Sequence, residues 1–173
     1  MTKKILVVGD IMLDKYHQCS VTRISPEAPV PVANIVKTKF SLGGAANVAH
    51  CLKRLGADVT LMGACGIDTA AEELKKLTAE IGVETSFLEN RHFQTTVKTR
   101  IAAGSQQLIR IDQESMLRHE DSAKINKLFA KQFDKFDCVV FSDYAKGTLA
   151  LVKDMIKLLN QKNIKSFVDP KLN

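Results

Sequence analysis

Four short runs combine acids, glycines and cations in ways that suit ligand binding. Gly9-Asp10-Ile-Met-Leu-Asp14 places two acids just after an apolar run that ends at Val8. In open α/β sheets ligands bind at the carboxyl ends of the strands, where a carboxylate can accept hydrogen bonds from hydroxyl groups. The competing reading is that one of the acids caps a turn. Ser41-Leu-Gly43-Gly44-Ala-Ala-Asn47 is the second run. Paired glycines let backbone N–H groups come close to a ligand, and Asn47 is costly in the first turns of a helix unless its amide finds a partner. A plain glycine turn with a tolerated Asn fits this pattern equally well. The third run, Ser142-Asp143-Tyr144-Ala145-Lys146-Gly147, follows another apolar stretch. It is expected to open a helix, which would make Lys146 part of an anion site. Val168-Asp169-Pro170-Lys171 is placed similarly. No GxGxxG and no Gly-Lys-Ser/Thr occurs, which argues against a P-loop enzyme. His17, His50, His92 and His119 lack the spacing of zinc ligands and read as surface or core residues.

These runs need strands and helices to position them. Ile5–Val8, Val59–Met62, Val83–Leu88, Cys138–Phe141 and Ser166–Val168 read as buried parallel strands, because strands covered on both faces are apolar without alternation. Between them, Val48, Cys51, Leu52 and Leu55 recur at helical spacing, with Gly56 as a C-terminal cap. Leu74, Leu77 and Ile81 mark a second helix that starts with a Thr69/Glu72 capping box and closes at Gly82. Ile125, Leu128, Phe129 and Phe133 predict a third helix, and Leu151, Met155, Leu158 and Leu159 a fourth. Strand–helix alternation with apolar strands means a parallel sheet flanked by helices. Two segments break the rhythm: residues 15–40, rich in proline and extended, and residues 94–112, which alternate around a Gly104-Ser105 turn. Both suggest a small amphipathic β-sheet standing off the body, able to close over a ligand.

The 173 residues suffice for one ordinary domain with a small insertion. With 45% hydrophobic and 25% charged residues, the chain is globular rather than disordered. The net charge of +6 favours anionic partners. The cations are interspersed with acids and there is no Trp, so phosphorylated small molecules are favoured over nucleic acid. Cys19, Cys51, Cys65 and Cys138 form no CxxC pair, and Cys51 and Cys138 read as buried free thiols. No apolar stretch is long enough to span a membrane, and no signal peptide is visible. The cytoplasm is the expected location.

Gly43-Gly44-Ala-Ala-Asn47-Val-Ala49 with Leu52 and Leu55-Gly56, followed by Gly63-Ala-Cys-Gly66-Ile-Asp68, resembles the first sequence pattern of the PfkB, or ribokinase-type, sugar kinases. Arg23-Ile-Ser-Pro-Glu-Ala-Pro-Val-Pro-Val32, Gln106-Gln-Leu-Ile-Arg-Ile-Asp112 and Ser142–Gly147 are similar to the heptose 7-phosphate kinases of that family. The resemblance covers essentially the whole chain. It implies a ribokinase-like α/β fold: a mostly parallel sheet flanked by helices, with residues 15–40 and 94–112 as a projecting β-lid that also makes a homodimer contact. It implies transfer of a phosphoryl group from ATP, with Mg2+, to C1 of D-glycero-β-D-manno-heptose 7-phosphate, in ADP-heptose and lipopolysaccharide core synthesis. On this resemblance Asp14, Gly43, Gly44 and Asn47 bind the sugar hydroxyls, and Asp10 and Asp143 are further substrate-side acids. Arg100, Arg110 and Lys146 are candidates for the 7-phosphate on charge and placement. The family's Asp-Thr-x-Gly-Ala-Gly-Asp pattern, which carries the catalytic base and the anion hole, does not occur. Nor does its Asn-x-x-Glu. The expectation is therefore a partial kinase domain over residues 1–173, lacking its C-terminal half, with no catalytic residue of its own. The alternatives are a non-catalytic sugar-phosphate-binding or dimerising fragment, and a kinase of this family acting on another carbohydrate.

Overall fold

A computed structural model describes residues 2–171. In chain order the elements are β1 (Lys4–Gly9), β2 (Ile11–Ile24), β3 (Pro31–Gly44), α1 (Ala45–Arg54), β4 (Asp58–Cys65), α2 (Thr69–Glu80), β5 (Glu84–Glu89), β6 (Thr96–Ala103), β7 (Gln106–Gln113), α3 (His119–Ala130), β8 (Cys138–Ser142), α4 (Val152–Gln161) and β9 (Lys165–Asp169). Five strands form the body sheet in the order β5-β4-β1-β8-β9, every pair parallel. All five expected strands are present and parallel, but the edge strands β5 and β9 are exposed to half-buried and not buried as expected.

Alternate residues of β1 feed two cores. Leu6 and Val8 pack with Phe129, Phe141, Met155 and Leu159, under α3 and α4. Val7 packs with Leu61, Ala45, Ala49 and Leu74, under α1 and α2. Each large side chain so buried contributes about 1.5–3 kcal/mol. The buried face of α1 is only in part the expected one, since Val48 and Leu52 are half-buried against this core. Ala45, Ala46 and Ala49 are inside, while Leu55 is 83% exposed and Cys51 is exposed. The small side chains let the helix start close on the sheet, where a Cβ at Gly9 would lie 3.0 Å from the Ala45 Cβ. Cys138 is only half-buried, whereas Cys65 is buried and its thiol is pushed up to about 11 by that burial.

The second sheet, β3-β2-β6-β7, is the lid. Two antiparallel hairpins, β2–β3 and β6–β7, are joined along a parallel β2–β6 seam. It is longer than expected at its base. β2 begins at Ile11 and β3 runs on to Gly44, so Asp14 sits on a lid strand and not in a loop. The third helix ends at Ala130, and Phe133 lies in a separate 3-10 turn. The Ser142–Gly147 run does not open a helix directly, since α4 starts only at Val152.

α2 starts one residue before the expected capping box. The Asp68 carboxylate is the N-cap, with Oδ1 accepting from the Ala71 N–H at 2.8 Å, and Thr69 is already helical. Asp68 is the better cap because its other oxygen accepts from the Thr95 N–H at 3.0 Å, tying α2 to the segment entering β6. Thr95 in turn accepts from the Gly66 N–H at 2.8 Å. Loss of an N-cap alone costs about 1 kcal/mol, and the orphaned Thr95 N–H adds about 1–3 kcal/mol. Asp68→Ala is therefore expected to lower urea-unfolding stability by roughly 2–4 kcal/mol. Thr69→Ala should stay within about 0.5 kcal/mol, as an uninvolved surface substitution does.

Candidate functional site

A cleft of about 470 Å³ lies between the lid and the body. Asp14, Gly43, Gly44, Asn47, His50, Lys98, Arg100 and Tyr144 line it, with Met12, Tyr16, Ser41 and Leu42. The elements bring these together for simple reasons. Asp14 of β2 is in register with Ser41 on β3 and with Lys98 on β6, and directly opposed residues share a face of a sheet. β3 ends in the glycine pair, and α1 starts at once, so Asn47 stands exposed in the first helical turn at the cleft. A Cβ at Gly43 would lie 2.9 Å from Asp14 Oδ2. Gly44 has φ +55°, and a Cβ there would collide with the Asp10 carbonyl. Both positions thus exclude other residues, one through a carboxylate in the cleft and the other through the turn itself.

Asp14 Oδ1 accepts from Arg100 Nη1 at 2.6 Å, with both side chains mostly buried. That carboxylate holds the Arg100 guanidinium above its ordinary value. Arg100 also lies over the Tyr16 ring, 5.1 Å from its centroid. A second cavity, about 260 Å³, continues from Tyr16 and Arg100 along the lid past His17, Lys37 and Lys39.

Asp10 has a different place from Asp14. It is 3% exposed and its carboxylate is filled by backbone donors. Oδ2 accepts from the N–H groups of Tyr144 at 2.9 Å and Lys146 at 3.0 Å, and Oδ1 from Thr148 at 3.1 Å. Its own N–H donates to the Ser142 carbonyl at 3.2 Å, and its carbonyl accepts from the Ala45 N–H at 3.0 Å. Asp10 is therefore the acid that fixes a turn, the competing reading of the first run. It shapes the 143–148 loop that presents Tyr144 to the cleft. Asp143 is half-buried on that loop, its Oδ1 accepting from the Ala145 N–H at 2.8 Å, and it does not line the cleft.

The three cations expected at an anionic group are likewise not equivalent. Arg100 lines the cleft. Arg110, opposite Arg100 on β7, is held by Asp112 through Nε at 2.9 Å and Nη2 at 3.0 Å. Lys146 is paired with Glu114 at 2.7 Å. Neither lines the cleft. Lys98, which does, was not singled out in the sequence, although its spacing of two from Arg100 puts both on one strand face. His50 was also missed. It lies three residues after Asn47, on the same side of α1.

Residues 2–173 match the model of the pfkB family carbohydrate kinases. The chain belongs to that family. It is 46% identical over 175 residues to a protein of a Marinomonas species named "Bifunctional protein HldE", covering 99% of this chain and 36% of that one. It is 42% identical over 171 residues to the "D-beta-D-heptose 7-phosphate kinase" of Bordetella bronchiseptica, covering 97% and 54%. Among solved structures, Escherichia coli phosphofructokinase-2 in complex with fructose-6-phosphate superposes with TM-score 0.75 at 18% identity, over 100% of this chain and 56% of that one. A possible 1-phosphofructokinase of Thermotoga maritima gives 0.69 at 20%, over 96% and 53%. The fold is thus that of the ribokinase-like sugar kinases, and the chain spans roughly a third to a half of the relatives it matches. β9, whose Phe167 and Val168 are 59% and 45% exposed, is the open edge of the body sheet.

Two outcomes follow for the site. Asp10→Ala removes the acceptor of three backbone N–H groups, that of Thr148 buried and those of Tyr144 and Lys146 part-buried, so a loss of about 1–3 kcal/mol is expected in chemical denaturation. Asp10→Asn, which keeps one acceptor oxygen, should lose less. The second outcome concerns acid. The hydrogen bond from Lys98, and then that from Arg110, holds Asp112 below 3.8, and the bond from Lys146 holds Glu114 below 4.5. A carboxylate depressed in the folded state contributes stability above its unfolded value and loses it as pH falls through the folded one. Calorimetric melting temperature should hold above these ordinary values and drop below them, with a shallower acid limb in an Asp112→Asn, Glu114→Gln double variant.

Proposed function

We propose that this chain is the acceptor-binding part of an ATP-dependent kinase that phosphorylates D-glycero-β-D-manno-heptose 7-phosphate at C1, a cytoplasmic step of ADP-heptose and lipopolysaccharide core synthesis. The observation that carries this reading is the meeting of the Asp14 carboxylate, the Asn47 amide and the Gly43–Gly44 backbone with Lys98 and Arg100 in one cleft. Acids and amides suit sugar hydroxyls, and flanking cations suit a phosphate. The name of the Bordetella bronchiseptica relative supports a heptose 7-phosphate as the sugar. Asp14 would accept from hydroxyls near the reacting carbon, giving up part of its pairing with Arg100. Lys98 and Arg100 would face the phosphate, with Lys37 and Lys39 beyond them.

Mg-ATP is the phosphoryl donor in this reading. Among the described residues, no group of three or more His, Cys, Asp or Glu side chains converges as a metal site. Mg2+ keeps much of its water and takes only one or two carboxylates beside the phosphates of its nucleotide, so no metal site is assigned among these residues, and no catalytic step is assigned to them. What they do is hold and orient the acceptor, which matters because phosphoryl transfer depends mainly on positioning and charge stabilisation.

The reading includes a homodimer formed through the lid. On the face turned away from the cleft, Ile35, Ile109 and Ile111 are 59%, 54% and 46% exposed. Ile35 stands on β3 and Ile109 and Ile111 on β7, at the two edges of the lid, and exposed apolar side chains of this kind suit a partner surface.

Two measurements check the proposal. In a longer protein carrying this segment, Asp14→Ala should lower kcat/KM by the equivalent of about 1.5–3 kcal/mol, the worth of hydrogen bonds to a charged acceptor. Unchanged kinetics would remove Asp14 from the site. The 173-residue chain itself should show saturable stabilisation by heptose 7-phosphate without release of ADP. Lack of a general base costs about 10²–10⁴-fold and lack of an anion hole about 10²–10³-fold more. Turnover near that of an intact relative would overturn this division of labour.

A further inference from the structure

The carboxylate of Glu114 stands between two lysines from different parts of the molecule. Oε1 is 2.7 Å from Nζ of Lys146, on the body loop after β8. Oε2 is 3.6 Å from Nζ of Lys98, on lid strand β6. Lys98 continues to Asp112 at 3.0 Å, and Asp112 to Arg110 at 2.9 Å. The result is an alternating row of three cations and two carboxylates. It starts on the outer lid strand, passes the cleft wall at Lys98 and ends on the body.

An exposed ion pair contributes little on its own. Here the two lysines are only 18% and 17% exposed, and each acid serves two cations. Networks held in this way are stronger than isolated pairs. Backbone contacts run alongside. The Leu117 N–H donates to the Lys146 carbonyl at 2.8 Å, so the chain leaving β7 is zipped to the loop that Asp10 shapes. The Ser115 hydroxyl accepts from the Gln94 N–H at 3.1 Å and donates to the Gln94 carbonyl at 3.2 Å, closing the base of the β6–β7 hairpin. Glu114 comes just before these two fastenings in the chain and supplies a side-chain charge that links lid to body.

We propose that Glu114 is a positioning residue: by sharing one carboxylate between Lys98 and Lys146 it latches the β6–β7 half of the lid to the body and holds the Lys98 ammonium at the cleft wall. It does not touch the ligand. The latch follows from the coordinates and the side-chain chemistry, and it stands or falls apart from the identity of the acceptor. A neutral amide at this position could still accept from one lysine but could not hold two.

The test is hydrogen exchange followed by mass spectrometry on the 173-residue chain, without ligand. Wild type, Glu114→Gln, Lys146→Met and the double variant are compared, and wild type is also measured at low and at high salt. Glu114→Gln and Lys146→Met should each raise exchange in β6 and β7 about tenfold, as local opening of one unit does, while β1, β4 and β8 keep wild-type protection. The double variant should exchange no faster than Glu114→Gln, since Lys146→Met removes a link that Glu114→Gln already breaks. Raising the salt to about 1 M, where the screening length is about 3 Å, should loosen the wild-type lid in the same way. Its effect on Glu114→Gln should be smaller, since only the ion pairs within the lid remain to be screened there. Equal protection of β6–β7 in wild type and Glu114→Gln would overturn the proposal. So would faster exchange spread evenly over body and lid, or additive effects in the double variant. The salt series on wild type requires no substituted protein to fold.

Discussion

A single buried carboxylate joins the parts of the site. Asp10 closes β1, receives the first N–H of α1 on its carbonyl and gathers three N–H groups of the 143–148 loop on its side chain. Three segments far apart in sequence therefore take their relative positions from one residue. The cost of burying a charge is met because both carboxylate oxygens accept from backbone N–H groups. The glycine turn, the cleft-facing Tyr144 and the placement of Lys146 all depend on that arrangement. It also explains why a side chain at the carboxyl end of a strand need not be a ligand.

Charge in the cleft is organised by pairing. Asp14 with Arg100, Asp112 with Arg110 and Lys98, and Glu114 with Lys146 leave the cleft wall only mildly positive, although the whole chain carries +6. Such a wall can attract an anion without forming a broad basic surface, which agrees with a small phosphorylated ligand better than with a polyanion. The paired acids also set the direction in which the cations point. An unpaired lysine on a strand would sample many rotamers, and fixing it costs entropy at the moment of binding.

Much of the body was legible in the sequence because buried parallel strands are written as unbroken apolar runs. Ile5–Val8 and Cys138–Phe141 needed no further information. The Val97, Thr99, Ile101 alternation likewise revealed the lid. The failures share a cause. Asp10 read like a ligand because its three donors lie more than 130 residues away, and no local spacing reports them. Arg110 and Lys146 read like free cations, though each has an acid whose proximity is set by register or by a tertiary turn. The buried face of α1 was read correctly at Val48 and Leu52 but not at Leu55 and Cys51, because close approach to the sheet selected alanines at the helix start. For α2, Asp68 displaced Thr69 as the cap through its second contact at Thr95. Asp14, Gly43, Gly44 and Asn47 were legible because a strand, a glycine turn and a helix start follow one another directly there.

The parallel seam between β2 and β6 has a consequence for how the molecule is made. Parallel neighbours cannot be joined by a tight turn, and here β3, α1, β4, α2 and β5 all intervene. Asp14 and Arg100, which meet across that seam, are separated by 86 residues. Each hairpin of the lid can form early from local contacts. The seam must wait until most of the body has closed the long loop between them, and ordering so long a loop slows folding. The cleft is therefore among the last features to appear as the chain folds, and it exists only in molecules whose body is already built.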